Sequence, residues 1–110
     1  MSIAGDLIRG HTDAVILSCL QRGDSYGYEI NKVIGTLSCG RFELKEATLY
    51  TAFKRLEEQG LITSYWGDSG AGARRRYYSI TPAGMEASRR LKAEWKETKD
   101  IMDQLLEEGK

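Results

Sequence analysis

ATLYTAFKRLEEQGLI, Ala47 to Ile62, reads as a short amphipathic helix that stops at a glycine and passes into a strand. At roughly 100° per residue, Leu49, Phe53 and Leu56 gather on one side. Ala47, Thr51, Lys54 and Glu58 lie opposite, with Tyr50 and Arg55 at the two edges of that face. The helix is expected to start near Lys45–Glu46 and to stop at Gly60, which supplies the left-handed residue that helix ends favour. One face is core, and the other is small or polar.

Beyond Gly60, Leu61 to Trp66 is β-branched and aromatic, and so is Arg76 to Ile80. Gly67 to Ala73 between them is a glycine-rich tip, which predicts a β-hairpin with a long loop. Alternation along the second strand sends Arg74 and Arg76 one way and Arg75 the other. Tyr77 and Tyr78 divide in the same manner, one towards the core. Thr81-Pro82 then opens a long helix, with Thr81 as N-cap and Pro82 at the first helical position, running through Glu108.

Upstream, Thr12 or His11 opens a helix with Val15, Ile16, Cys19 and Leu20 as its apolar positions. Gly23-Asp24-Ser25 breaks it, and Ser25 is expected to cap the next helix, about Tyr26 to Ile34. Tyr26, Ile30, Val33 and Ile34 form the buried side of that second helix, and Gly35 to Gly40 is turn-like. The resulting order is helix, helix, helix, strand, strand, helix. This predicts a mainly α (α+β) chain: a winged helix-turn-helix with a two-stranded β-wing and a long C-terminal dimerisation helix. The expected division is residues 1–81 for the winged-helix unit and residues 82–110 for the dimerisation helix.

The net charge is zero, with 16 Lys/Arg against 16 Asp/Glu, but the charge is unevenly placed. Residues 41–81 hold seven Lys/Arg against five Asp/Glu, and residues 69–81 hold three arginines and no acid. Three adjacent cations on a folded surface point to a negatively charged partner. A winged helix offers double-stranded DNA a helix for the major groove and a basic hairpin for the backbone or minor groove. The expected contacts are Ala47, Thr48, Tyr50, Thr51, Lys54 and Arg55 on the helix, and Arg74, Arg75 and Arg76 on the wing. Ala47 and Thr51 allow close approach, and Thr51 can bond a base edge or a phosphate. Lys54, Arg55 and the Tyr50 hydroxyl reach phosphates. Arg74 and Arg75 are expected at phosphates and Arg76 to be partly structural. The competing reading is an arginine cluster paired with acids such as Glu43 or Glu46, in an interaction module for an acidic protein partner.

Along the last helix Leu91, Trp95, Thr98, Met102 and Leu105 recur at alternating four- and three-residue steps, the spacing of a seam facing another helix. About 27 residues make a helix roughly 40 Å long, more than a small domain covers, so a second copy of the chain is expected against it. Trp95, mid-seam, serves packing or forms the wall of an effector pocket between subunits.

Catalytic sets are missing from the sequence: no Ser/His/Asp constellation, no paired carboxylates in an apolar setting, and no glycine loop opening a helix. With His11 as the single histidine and no CxxC pair, Cys19 and Cys39 are expected to be free thiols, and neither metal nor cofactor is expected. No apolar run is long enough for a membrane span, and the first residues lack a signal-peptide core. A cytoplasmic location is expected.

YGYEI (Tyr26 to Ile30), ATLYTAFKRLEEQGLI and ARRRYYSITPAG (Ala73 to Gly84) together resemble the PadR-like bacterial transcriptional regulators, in the family's order and spacing. The resemblance covers about residues 5–90. It implies a non-enzymatic homodimer that binds operator DNA, as a repressor. It further implies an aromatic small-molecule effector, since relatives respond to phenolic acids or aromatic drugs. The chain departs from the family pattern at Tyr26, where His is usual, and at Ala47 and Thr51, where Gly and Pro are usual. The last two fall on the expected DNA face and bear on the operator sequence.

Overall fold

The structure is a computed structural model and describes residues 7–68 and 74–107. A helical segment at residues 7–9 precedes α1 (Thr12–Gln21), α2 (Gly27–Leu37) and α3 (Glu46–Glu58). Strands β1 (Ile62–Asp68) and β2 (Arg74–Ile80) follow, then α4 (Pro82–Leu106). β1 and β2 are antiparallel, in register from Ile62 opposite Ile80 to Asp68 opposite Arg74. This is the predicted winged helix.

The core collects the apolar stripes of all three helices: Ile16, Leu17 and Leu20 of α1, Ile30 and Ile34 of α2, and Leu49, Ala52, Phe53 and Leu56 of α3. Ile62 and Tyr78 seal it from the hairpin and Ala87 from α4. Between α2 and α3, the Asn31 side chain holds both backbone groups of Leu44. Its amide donates to the carbonyl at 2.7 Å and its oxygen accepts the N–H at 2.9 Å. That pair fixes the turn of the helix-turn-helix without a sheet or a cap.

Helix ends follow local chemistry. Gly60 lies at φ 75°, and the N–H groups of Leu61 and Gly60 reach back to the carbonyls of Leu56 and Glu57, the bonding pattern of a Schellman stop. Thr81 caps α4 as expected, its hydroxyl accepting from the Gly84 N–H at 3.0 Å with Pro82 in the first turn. The helix ends at Leu106, with Glu107 extended, and the expected last residue Glu108 lies outside the described residues.

Four expectations need correction. Ser25 does not cap α2, because Tyr26 holds the N-cap position and no side chain caps it. Ser25 instead exchanges both backbone hydrogen bonds with Tyr78, at 3.1 and 2.7 Å, and its hydroxyl donates to Glu29 at 2.5 Å. The serine thus adds a one-residue bridge to the hairpin. α2 also runs three residues past Ile34, because the Gly40 N–H reaches the Gly35 carbonyl and closes a second Schellman stop with Cys39 at φ 57°. Tyr26 and Val33 are half-buried where burial was expected, Tyr26 because its ring lies against the outer face of the hairpin. Finally, β1 runs on to Asp68, so Gly67 and Asp68, expected in the loop, belong to the strand, and β2 begins two residues before the expected Arg76. The remainder of the expected loop tip, residues 69–73, lies outside the described residues.

Candidate nucleic-acid interface

α3 presents Ala47, Tyr50, Thr51, Lys54, Arg55 and Glu58 to solvent, with Thr48 half-buried. The helix is held from behind by its own core stripe and from one flank by α2. There the Tyr50 hydroxyl lies against Gly27 so closely that a Cβ on that glycine would come within 2.8 Å of it. The Tyr50 ring meets Phe53 edge-on at 5.5 Å. On the other flank Arg55 is ion-paired with Asp13 of α1, which engages part of its donors within the molecule. Among the described residues Lys54 has no ion pair.

The wing divides its arginines between two faces, as alternation predicted. The inner face carries Ile62, Ser64 and Trp66 of β1 beside Tyr78, Arg76 and Arg74 of β2. Tyr78 stacks on Phe53 of α3, with 3.8 Å between centroids and 17° between planes. Arg76 donates to the Ser64 hydroxyl at 2.9 Å and pairs with Glu57 of α3 at 3.5 Å. Its acid partner is therefore Glu57, and not Glu43 or Glu46. Trp66 is about half exposed, with the Arg74 and Arg76 guanidiniums 5.2 and 5.8 Å from its ring centroid.

The outer face is aromatic. Tyr65 and Tyr77 stack at 5.6 Å, Tyr77 meets Tyr26 edge-on at 5.4 Å, and the Arg75 guanidinium sits 4.5 Å over the Tyr26 ring. The Tyr65 hydroxyl donates to Asp24 at 2.6 Å, which holds its phenol proton more firmly than usual. Gly67 is required here, because a Cβ would come within 2.7 Å of the Tyr77 ring. Asp13, Glu57 and Trp66 were not singled out from sequence, and Tyr26 was expected in the core and not at the interface. Only Trp66 left a local signal, since strand alternation and a hairpin register already place it beside Arg76.

On α4 only the first turns are buried, through Gly84, Ala87 and Ser88. Ser88 and Lys92 both donate to the Gln21 side chain at the end of α1, at 2.8 and 2.7 Å. Leu91 is half-buried, while Trp95, Thr98, Ile101, Met102, Leu105 and Leu106 are exposed. The Trp95 ring meets His11 edge-on at 5.1 Å. Beside them lies a cleft of about 330 Å³ lined by His11, Asp13, Arg55, Leu91, Trp95 and Thr98 among others. Among the described residues no group of three or more His, Cys, Asp or Glu could hold a metal ion, and no helix is long and apolar enough to cross a membrane.

A winged helix with a cationic hairpin and a seam-bearing terminal helix is the build of a transcriptional regulator. The chain belongs to the transcriptional regulator PadR-like family, whose sequence profile matches residues 16–90. It is similar to a transcriptional regulator from Clostridium thermocellum, with 44% identity, TM-score 0.87 and coverage of 96% of this chain and all of that one. A PadR family transcription regulator from Clostridium difficile is 40% identical, with TM-score 0.76 over 88% of this chain and 99% of that one. An uncharacterized protein of Lysinibacillus sphaericus is 43% identical over 96% of both chains. Transcriptional regulator YqjI of Escherichia coli is 30% identical over 90% of this chain, which spans 42% of that protein's length. Membership makes the chain a transcriptional regulator and not an enzyme.

Proposed function

We propose that the protein is a homodimeric repressor that binds double-stranded operator DNA through α3 and the wing. The observation that carries this reading is the stacking of Tyr78 on Phe53, which joins the arginine-bearing hairpin to α3 as one rigid body. A duplex meeting the exposed face of α3 also meets a hairpin held at a set angle to it. Ala47 and Thr51 leave room for base edges, Thr48 and Tyr50 flank them, and Lys54, Arg74 and Arg75 take phosphates. Arg55 and Arg76 meet DNA in competition with Asp13 and Glu57.

In this reading residues 82–110 form the dimerisation unit and residues 1–81 the DNA-binding unit. Trp95, Met102 and Leu105, each about half exposed or more, form with Leu91 and Thr98 an apolar stripe that a second copy would cover. Two-fold pairing would set two α3 helices about one DNA turn apart, roughly 34 Å. An aromatic effector near Trp95 fits the cleft volume, which lies at the lower end of the usual ligand range.

The test is titration of a labelled mixed-sequence duplex across a salt series, with light scattering of the same samples. Removing one cation from a phosphate should lower the log–log salt slope by roughly 0.9, so Arg74→Ala with Arg75→Ala should flatten it by nearly two. A salt slope unchanged by the double variant would remove the wing from the interface. Binding of an acidic protein in place of duplex would leave the interaction-module reading. A monomer at micromolar concentration would remove the dimer.

A further inference from the structure

We propose that Tyr26 is a positioning residue for DNA binding: its ring is the platform that holds the Arg75 guanidinium ready for a phosphate. This rests on the DNA-binding reading above and assigns a part in it to a residue outside both α3 and the wing.

The geometry distinguishes Arg75 from Arg55 and Arg76. Arg55 and Arg76 each direct part of their N–H donors to a carboxylate, Asp13 and Glu57. Arg75 has neither an ion pair nor a hydrogen bond from its side chain among the described residues, yet it is not left to wander. It lies 4.5 Å over the face of Tyr26, the shortest of the guanidinium–ring distances among the described residues. A guanidinium held over a ring with no hydrogen bond or ion pair of its own keeps its N–H donors open, and those donors can meet a phosphate bidentately. A long side chain already confined to that orientation loses less freedom when the phosphate arrives.

The platform is itself braced. Tyr26 meets Tyr77 edge-on, Tyr77 stacks on Tyr65, and the Tyr65 hydroxyl is tied to Asp24. Asp24 and Tyr26 flank Ser25, whose backbone is paired with Tyr78. These contacts hold the ring against the hairpin. Because Tyr26 immediately precedes α2, Arg75 is held on the outer face of the wing beside the start of α2, while Arg74 and Arg76 lie along Trp66 on the inner face, the one that packs on α3. The hairpin thus presents cations on both faces, and Tyr26 fixes the one nearer α2.

A double-mutant cycle on duplex affinity tests this, with Tyr26→Leu, Tyr26→Phe, Arg75→Ala and Tyr26→Leu/Arg75→Ala compared in the full chain. Tyr26→Phe keeps the ring and should stay within about twofold of the parent. Tyr26→Leu should weaken binding by about three- to tenfold and lower the salt slope, as Arg75→Ala does. The double variant should be no weaker than Arg75→Ala alone. Near-ultraviolet dichroism and thermal melts report folding, and Tyr26→Met replaces Tyr26→Leu if the latter is unfolded at the assay temperature. Additive effects of the two changes, an unchanged salt slope in the folded non-aromatic variant, or equal damage from Phe would each overturn the platform while leaving the DNA reading in place. Failure of the parent protein to bind duplex at low salt would overturn both.

Discussion

Tyr78 of the wing lies flat on Phe53 of α3, and both rings are buried. The contact is at once core packing and the hinge plate between the two proposed DNA elements. Phe53→Ala should cost about 3–5 kcal/mol of stability, the usual range for emptying a buried aromatic site. Urea unfolding checks the value. A decrease below about 1 kcal/mol would mean that the core collapses around the gap.

Burial pushes the Tyr78 phenol above its ordinary value, with the nearby Arg76 charge opposing the shift. Tyr65 moves the same way through its hydrogen bond to Asp24. A folded-state value above the unfolded one means that the native protein holds these protons longer. The associated stability is complete below the unfolded value, about pH 10, and drains away as pH rises through the folded value. Urea midpoints should therefore fall as pH rises above about 10. Tyr78→Phe should make that fall shallower, and an unchanged slope would assign it to other groups.

Asp13 holds Arg55 of α3 from the neighbouring helix α1. The pair is well exposed, so Asp13→Asn should change stability by no more than about 1 kcal/mol. Its effect on DNA should be larger in kind. A guanidinium freed at the edge of α3 becomes available to a phosphate, which predicts tighter duplex binding and a salt slope steeper by roughly 0.9. Weaker binding would show that the pair orients α3 and does not restrain Arg55.

Cys39 occupies the left-handed position that ends α2, at φ 57°, and is exposed. A side chain there is strained where glycine would not be. Cys39→Gly should raise stability by a few tenths to about 1 kcal/mol, read as an upward shift of the thermal midpoint. A fall would mean that the thiol makes an interaction stronger than the relieved strain.

Features set by neighbouring residues were readable in advance. Gly60 as a stop, Thr81-Pro82 as a start, and the division of Arg74 and Arg76 from Arg75 all follow from chemistry within a few positions. The partners of those arginines were not readable. Arg55 finds an acid 42 positions away, and Arg76 one 19 positions away. Ser25 shows the same limit from the other side. A serine ahead of an apolar stripe looks like a cap, yet the strand at Tyr78 claims its backbone and Glu29 its hydroxyl. Tyr26 reads as core by period alone, and only the hairpin beside it makes it part of an aromatic stack.

Gly84 gives α4 a fulcrum. The helix backbone passes so near the start of the hairpin that a Cβ there would run into the Leu61 carbonyl oxygen. Leu61 directly follows the glycine that ends α3, so the root of the long helix bears on the joint between α3 and the wing. With 25 residues, α4 is a lever about 37 Å long, and a tilt of roughly 10° at its root swings the far end by about 6 Å. The reverse motion is the informative one. If the far ends are clasped in a pair, the same few degrees are spent at the root, where they turn the reading head against its neighbour.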